Sequence, residues 1–203
     1  NKILVVCNTV KKAQQMFQEL RELGDVHLLH SRFIKKDRLR KEQEILSFGR
    51  TYNEDGTINE SNGIWIATQI VEASLDIDFD YLYTELSDLN GLFQRLGRCN
   101  RKGVKPVDEP NCFIFSEIDE AILKKGKNGF IDKTIHTLSK KVVELLTGVL
   151  TEQQKVSFIN QTFTSQNLKN SEFVREYREV YEKIDGLYDY ELTKSEIDLR
   201  NIL

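Results

Sequence analysis

The chain has 203 residues, enough for one large domain or two small ones, and long enough to bury an ordinary core without staples. Its 39% apolar and 30% charged residues, with 11 Gly and 2 Pro, exclude collagen-like, low-complexity and largely disordered classes. The net charge of −3 gives no global signal for a polyanionic partner, so any nucleic-acid contact must come from local clusters.

The chain opens at NKILVVCN, a buried-strand pattern with no Met and no signal-peptide organisation, so a fragment of a longer protein is expected. The run Ile3 to Cys7 is short and β-branched, as in a strand covered on both faces. Asn8 and Thr9 offer N-cap oxygens. Val10, Ala13, Met16, Phe17, Leu20 and Leu23 follow at helical spacing, and Gly24 stands where a C-terminal cap belongs. Val26 to Leu29 predicts a second strand. Lys35 to Phe48 predicts a helix with Leu39, Ile45, Leu46 and Phe48 inward, stopped by Gly49. Thr51 to Gly63 is polar and carries the turn signal Asp55-Gly56.

Three further strands are predicted at Ile64 to Thr68, Tyr81 to Leu86 and Cys112 to Phe115, with a helix over Asn90 to Gly97. Strands separated by helices imply a parallel sheet, whose ligands lie beyond the carboxyl ends of the strands. Beyond about residue 117 the pattern turns helical: Ile131 to Leu146, Glu152 to Ile159, Ser171 to Ile184 and Lys194 to Ile202. Phe173, Val174, Tyr177, Val180, Tyr181 and Ile184 form an apolar stripe, read most simply as helix packing, with a docking surface for another lobe or subunit as the alternative. The expected organisation is an α/β lobe over residues 1–120 and a helical appendage over 121–203.

Several chemistries are missing. No G-x-x-x-x-G-K-[ST] phosphate loop occurs. His27, His30 and His136 form no metal spacing, and Asp108-Glu109 lies in a proline-flanked surface loop. Cys7, Cys99 and Cys112 are an odd count without C-x-x-C spacing, which implies a reducing, cytoplasmic compartment. No apolar run approaches the roughly 20 residues of a membrane helix.

What remains is a polar cluster between residues 68 and 101. Glu72 to Asp88 holds six acids and no base, whereas Leu92 to Lys105 holds five bases and no acid. Arg95, Arg98 and Arg101 recur every three residues, close to one face of a helix. Three guanidiniums so spaced either form a solvated face, pair with the acidic stretch, or surround phosphate oxygens, which a guanidinium fork matches two at a time. Gly97 permits a close backbone approach.

The segment QRLGRCNR, Gln94 to Arg101, matches the pattern Q-x-x-G-R-x-x-R, motif six of superfamily 2 helicases. TQIVEASLDID resembles motif five, ILVVCNTVKKA motif four, and LLHSRF followed by Asp37-Arg38 the motif after it. Ile64 to Gly103 as a whole most closely resembles the helicase of type I CRISPR systems. Gln69, where Asp is common, and Gln94, where His is common, resemble that branch more than RNA helicases in general.

The resemblance implies the second of two RecA-like lobes, with ATP bound between lobes and single-stranded DNA across their tops. The first lobe would supply the phosphate loop and hold Mg²⁺. A nuclease domain and a CRISPR surveillance complex would be further partners. By motif position Arg98 and Arg101 would reach the γ-phosphate. Gln94 would bond near that phosphate or the attacking water, Asp76 would contact the ribose or the partner lobe, and Gly97 would border the nucleotide. Asn8, Thr9, His30, Ser31, Arg32, Thr68 and Gln69 would face nucleic acid. Asn8 or Thr9 as a mere cap and His30 as a structural histidine stay open. Glu72 would couple the two sites through Arg95 or Arg98, and Arg95 would also hold the acidic stretch. The rival readings are a lobe of another nucleic-acid-dependent ATPase and a degenerate lobe that only binds. This chain alone is expected to be inactive.

Overall fold

The computed structural model describes residues 1–73, 75–106, 108–124 and 129–185; the helix predicted at 194–202 lies outside them. Five strands form one all-parallel sheet: β1 (Lys2–Val6), β2 (Val26–Leu29), β3 (Gly63–Ala67), β4 (Tyr81–Glu85) and β5 (Cys112–Phe115), in the order β2-β3-β1-β4-β5. Register is set by apolar side chains that must be buried on both faces. Leu4 pairs with Trp65 on one side and Leu82 on the other, and all three are buried.

Helix α1 (Val10–Leu20) packs Ala13, Met16 and Phe17 against Cys7, Leu28 and Ile66 on one face of the sheet. Thr9 caps it, its Oγ1 accepting the Lys12 amide at 3.1 Å. The helix ends at Leu20, three residues short of expectation. A 3₁₀ turn continues it to Leu23, and Gly24 at φ 140° breaks it. The opposite face carries α2 (Lys35–Phe48), with Ile45 fully buried and Leu46 and Phe48 packed beside Trp65 and Phe79. Leu39, expected inward, is exposed: on this charged helix it lies away from the narrow buried edge. The Asp55-Gly56 turn closes a small hairpin through the Tyr52–Ile58 bridge.

Helix α3 (Leu89–Leu96) is capped by Asp88, whose carboxylate accepts the Gly91 amide at 2.9 Å. Its apolar side joins Leu86, Leu89, Leu92 and Phe93 to the appendage: α4 (Lys133–Val143), α5 (Glu152–Thr162), the short α6 (Ser165–Leu168) and α7 (Glu172–Asp185). Val142, Phe158, Ile159 and Phe163 supply the other half of that cluster. The short α6 carries too few residues for a periodic signal and was not expected. The stripe Phe173, Tyr177, Val180, Tyr181 and Ile184 on α7 is exposed, which corrects its reading as packing. No helix among the described residues is long and apolar enough to cross a membrane.

Candidate functional site

The connections that follow the neighbouring strands β1 and β4 leave in opposite senses. The chain after β1 runs to α1 and the β2 edge, and the chain after β4 runs to α3 and the β5 edge. The crevice between these diverging loops is where open α/β sheets bind ligands. Here a protein side chain fills it. Arg95 on α3 is 0% exposed. Its Nε donates to Glu72 Oε1 at 2.7 Å, and Nη1 donates to Glu85 O at 2.6 Å and Thr84 Oγ1 at 3.0 Å. Both Nη atoms reach Asn8 Oδ1 at 3.3 Å, and Nη2 also donates to Ser87 Oγ. A buried charge is tolerable only when its donors are satisfied in this way.

Asn8 completes the plug. Its amide donates to Glu85 Oε2 at 2.6 Å and its Nδ2 to Leu86 O at 3.0 Å, while its carbonyl accepts Gln69 Nε2 at 2.9 Å. It is therefore no helix cap; Thr9 has that role. Its side chain has protein partners at both ends. The carboxylate of Glu72 touches Arg95, and its carbonyl touches Arg98, so Glu72 links the two arginines.

Helix α3 stops at Leu96, so the three arginines do not share a helical face. Gly97 ends the helix at an ordinary φ of −67°. A Cβ there would meet only helix carbonyls, at 3.4 Å or more, so nothing inside the lobe demands glycine. Arg98 folds back under the loop after β3. Its Nε donates to Val71 O at 3.1 Å and Nη2 to Glu72 O at 2.8 Å, while Nη1 bonds Leu75 O. Burial, and then the Arg101 charge, lower its proton affinity, which Asp76 partly offsets. It is 9% exposed, against the expectation that it reaches out of the lobe. The carbonyls of a loop that turns back on itself are acceptors, and in this state they hold the guanidinium.

Arg101 takes the opposite course. Its backbone amide donates to Asp78 Oδ1 at 2.7 Å, and Thr51 Oγ1 donates to the other carboxylate oxygen at 2.9 Å. That fixes the residue's base, next to Asn100 in the left-handed region at φ 44°. The guanidinium is left at the surface, 3.4 Å from exposed Asp76. Gln94 is exposed on α3. Asp78 was missed in sequence because one acid among six carries no label; its only signal is the two-residue spacing from Asp76.

The second feature is an open groove of about 620 Å³ at the carboxyl ends of β1, β2 and β3. Asn8, Thr9 and Lys11 line it from one strand end, Ser31 and Arg32 from the next, Thr68 and Gln69 from the third. Two more wall residues are apolar: Val10 at the start of α1, and Phe130 from the segment before α4. His30 does not line the groove. It is buried, its ring stacked on Phe33 at 4.3 Å between centroids. Burial lowers its proton affinity, as do the Arg32 and Lys41 charges. Among the described residues, no cluster of three or more His, Cys, Asp or Glu could hold a metal ion. Burial raises the Cys7 thiol to about 12, so it is an inert core group.

Residues 1–104 match the family model described as "CRISPR-associated nuclease/helicase Cas3, C-terminal". The CRISPR-associated nuclease/helicase Cas3 of Methanothermobacter thermautotrophicus is 32% identical over 164 residues, which is 79% of this chain and 18% of that protein. The Escherichia coli CRISPR-associated endonuclease/helicase Cas3 is 42% identical over 103 residues, 49% of this chain and 11% of that protein. This chain therefore spans less than a fifth of either relative. The crystal structure of T. fusca Cas3 with ADP shares the fold with a TM-score of 0.66 at 21% identity, over 90% of this chain and 22% of that one. A chain of a CRISPR RNA-guided surveillance complex in a pre-nicking state aligns with a TM-score of 0.57 at 21% identity, over 77% of this chain and 20% of its own length. A parallel sheet carrying the motif order of a helicase lobe, and a family model covering half its length, mark this chain as a member of the Cas3 C-terminal helicase family.

Proposed function

We propose that this chain is the lobe of a CRISPR-associated, ATP-dependent DNA helicase that completes the ATP site from one side and carries single-stranded DNA on another. Residues 1–120 form the lobe and residues 121–203 the appendage, whose α4 and α5 brace α3. The observation that carries the reading is the division of labour within Gln94 to Arg101. Arg95 is locked in the crevice, whereas Arg101 stands on a fixed base with its guanidinium at the surface. A phosphate loop and Mg²⁺ would belong to a first lobe facing that rim, with a nuclease domain and a CRISPR surveillance complex as further partners.

Negative charge spreads over the phosphoryl oxygens in the transition state, and a preorganised guanidinium there stabilises it. Arg101 is available at once. Arg98 reaches a phosphate only by releasing the carbonyls of Val71, Glu72 and Leu75. Since that loop begins at Thr68 and Gln69, nucleotide capture by Arg98 would loosen the DNA-facing loop. Glu72 would pass the change to Arg95. Gln94, Asp76 and Gly97 would border the nucleotide.

The test is single-strand-stimulated ATP hydrolysis by the full-length protein. Arg101→Ala should lower the rate by about 10³-fold or more, the usual worth of an arginine finger. Arg98→Ala should lower the rate as well and weaken the dependence of DNA affinity on bound nucleotide. A rate unchanged by either substitution would sink the assignment and leave a lobe that only binds.

A further inference from the structure

The groove at the ends of β1, β2 and β3 has two chemically different sides. One is built from the short hydroxyl and amide groups of Thr9, Ser31, Thr68 and Gln69, with Lys11 and Arg32 beside them. These suit phosphate oxygens, which they position without reading sequence. The other side is the phenyl ring of Phe130. A single strand has the same two sides, a charged backbone and flat apolar bases.

Phe130 is 54% exposed, although its neighbours Leu123 and Ile131 are buried. Its place is fixed by backbone pairing. The amides of Phe130 and Ile131 both donate to Ile122 O, at 3.0 and 3.1 Å, and the Lys124 amide donates to Ile131 O at 2.7 Å. Gly129, at φ 77°, makes the turn possible: a Cβ there would lie 2.4 Å from the Leu123 carbonyl oxygen. With Ile131 buried, the Phe130 ring is left outside. The ring also borders the adjoining cavity of about 540 Å³, where Glu176 is paired with Lys124 at 2.6 Å and Glu72 with Arg95, and Asp88 and Asp132 are left as acids that repel phosphate. A strand beside Phe130 is therefore steered to the basic side of the ring.

Resting on the single-strand reading above, we infer that Phe130 is a stacking platform for one nucleobase of the strand held in this groove. Every base has a π-face, so the contact adds affinity without demanding a sequence. The appendage then becomes part of the DNA-binding surface and not only a brace.

The test compares a deoxythymidine oligonucleotide with an abasic oligonucleotide of equal length, using fluorescence anisotropy on the full-length protein across a salt series. Phe130→Ala should weaken binding of the thymidine strand about ten-fold. It should leave the abasic affinity and the salt slope unchanged, because no phosphate contact is lost. Phe130→Tyr should keep wild-type affinity for both strands. Lys11→Ala with Arg32→Ala should weaken both strands and flatten the salt slope. If Phe130→Ala weakens both strands alike, or neither, the platform is overturned while the groove stands. If binding ignores Lys11 and Arg32 altogether, the groove itself is the wrong place.

Discussion

Two regions at the carboxyl edge of the same sheet have been put to opposite uses. Between β1 and β4, the place where such sheets receive ligands is closed by Arg95, with Asn8, Thr84, Glu85, Ser87 and Glu72 around its guanidinium. Between β1, β2 and β3, hydroxyl and amide groups stand around open space. The residue types are alike; the difference is whether a buried cation has claimed the acceptors. The lesson extends to the motif arginines. Three residues at equal spacing serve as plug, loop clamp and surface cation, because α3 ends after the first of them.

The strongest way to break the contrast is to empty the crevice. Arg95→Ala leaves Glu72 and Asn8 without their shared cation and opens a cavity lined by polar groups. Removing one partner of a buried pair typically destabilises by about 3–5 kcal/mol. The denaturation midpoint should fall accordingly. Arg95→Lys should recover only part, since an ammonium has three donors and cannot span Glu72, Thr84 and Asn8 together. A loss below about 1 kcal/mol would show that the crevice tolerates water, and the contrast with the groove would vanish.

A smaller effect probes the floor beneath the groove. His30 has a lowered proton affinity in the folded chain, burial being the main cause. In the unfolded chain it takes up its proton near pH 6.5, about its ordinary value. Below that pH the unfolded state binds more protons, so stability falls as pH drops through the window beneath about 6.5. His30→Phe keeps the stack on Phe33 and removes the titration. Its stability should depend less steeply on pH between about 7 and 5 than that of the wild type. Parallel curves for the two proteins would place the acid sensitivity elsewhere. At the groove edge, Thr9→Ala should cost about 1 kcal/mol by removing the α1 cap, and Thr9→Ser should restore it.

The sheet was legible because buried parallel strands are short continuous apolar runs, and all five appear within a residue of their predicted bounds. Helix α2 was legible from Lys35 to its glycine stop. The face of Leu39 was not, since a charged helix with a narrow buried edge leaves periodicity ambiguous. The motifs pointed to the residues around the crevice and groove but not to their orientation. Asn8 and Thr9 are adjacent and equally good caps in sequence; only the position of Arg95, 87 residues away, makes one a hub and the other a cap. Phe130 was not legible at all. The run before it is rich in lysine and glycine, and its importance comes from a backbone pairing with Ile122 that no local pattern announces.

The mildest substitution sharpens the comparison most. Asp76 and Arg101 face each other at 3.4 Å, but the Asp76 side chain is 72% exposed and the Arg101 side chain 38%. An ion pair so wet contributes between about 0 and 1 kcal/mol, because water and salt screen it and two side chains lose freedom in forming it. Asp76→Ala should therefore leave the denaturation midpoint almost where it was, within about 0.5 kcal/mol. It should also make that midpoint less sensitive to salt. Arg101 itself stays anchored, because its amide bonds Asp78 and not Asp76. Near-silence in stability would set Arg101 apart from Arg95 as a cation the fold does not need. A drop of 2 kcal/mol or more would make the rim as architectural as the crevice, and leave Arg101 no freer than Arg98 to serve a nucleotide.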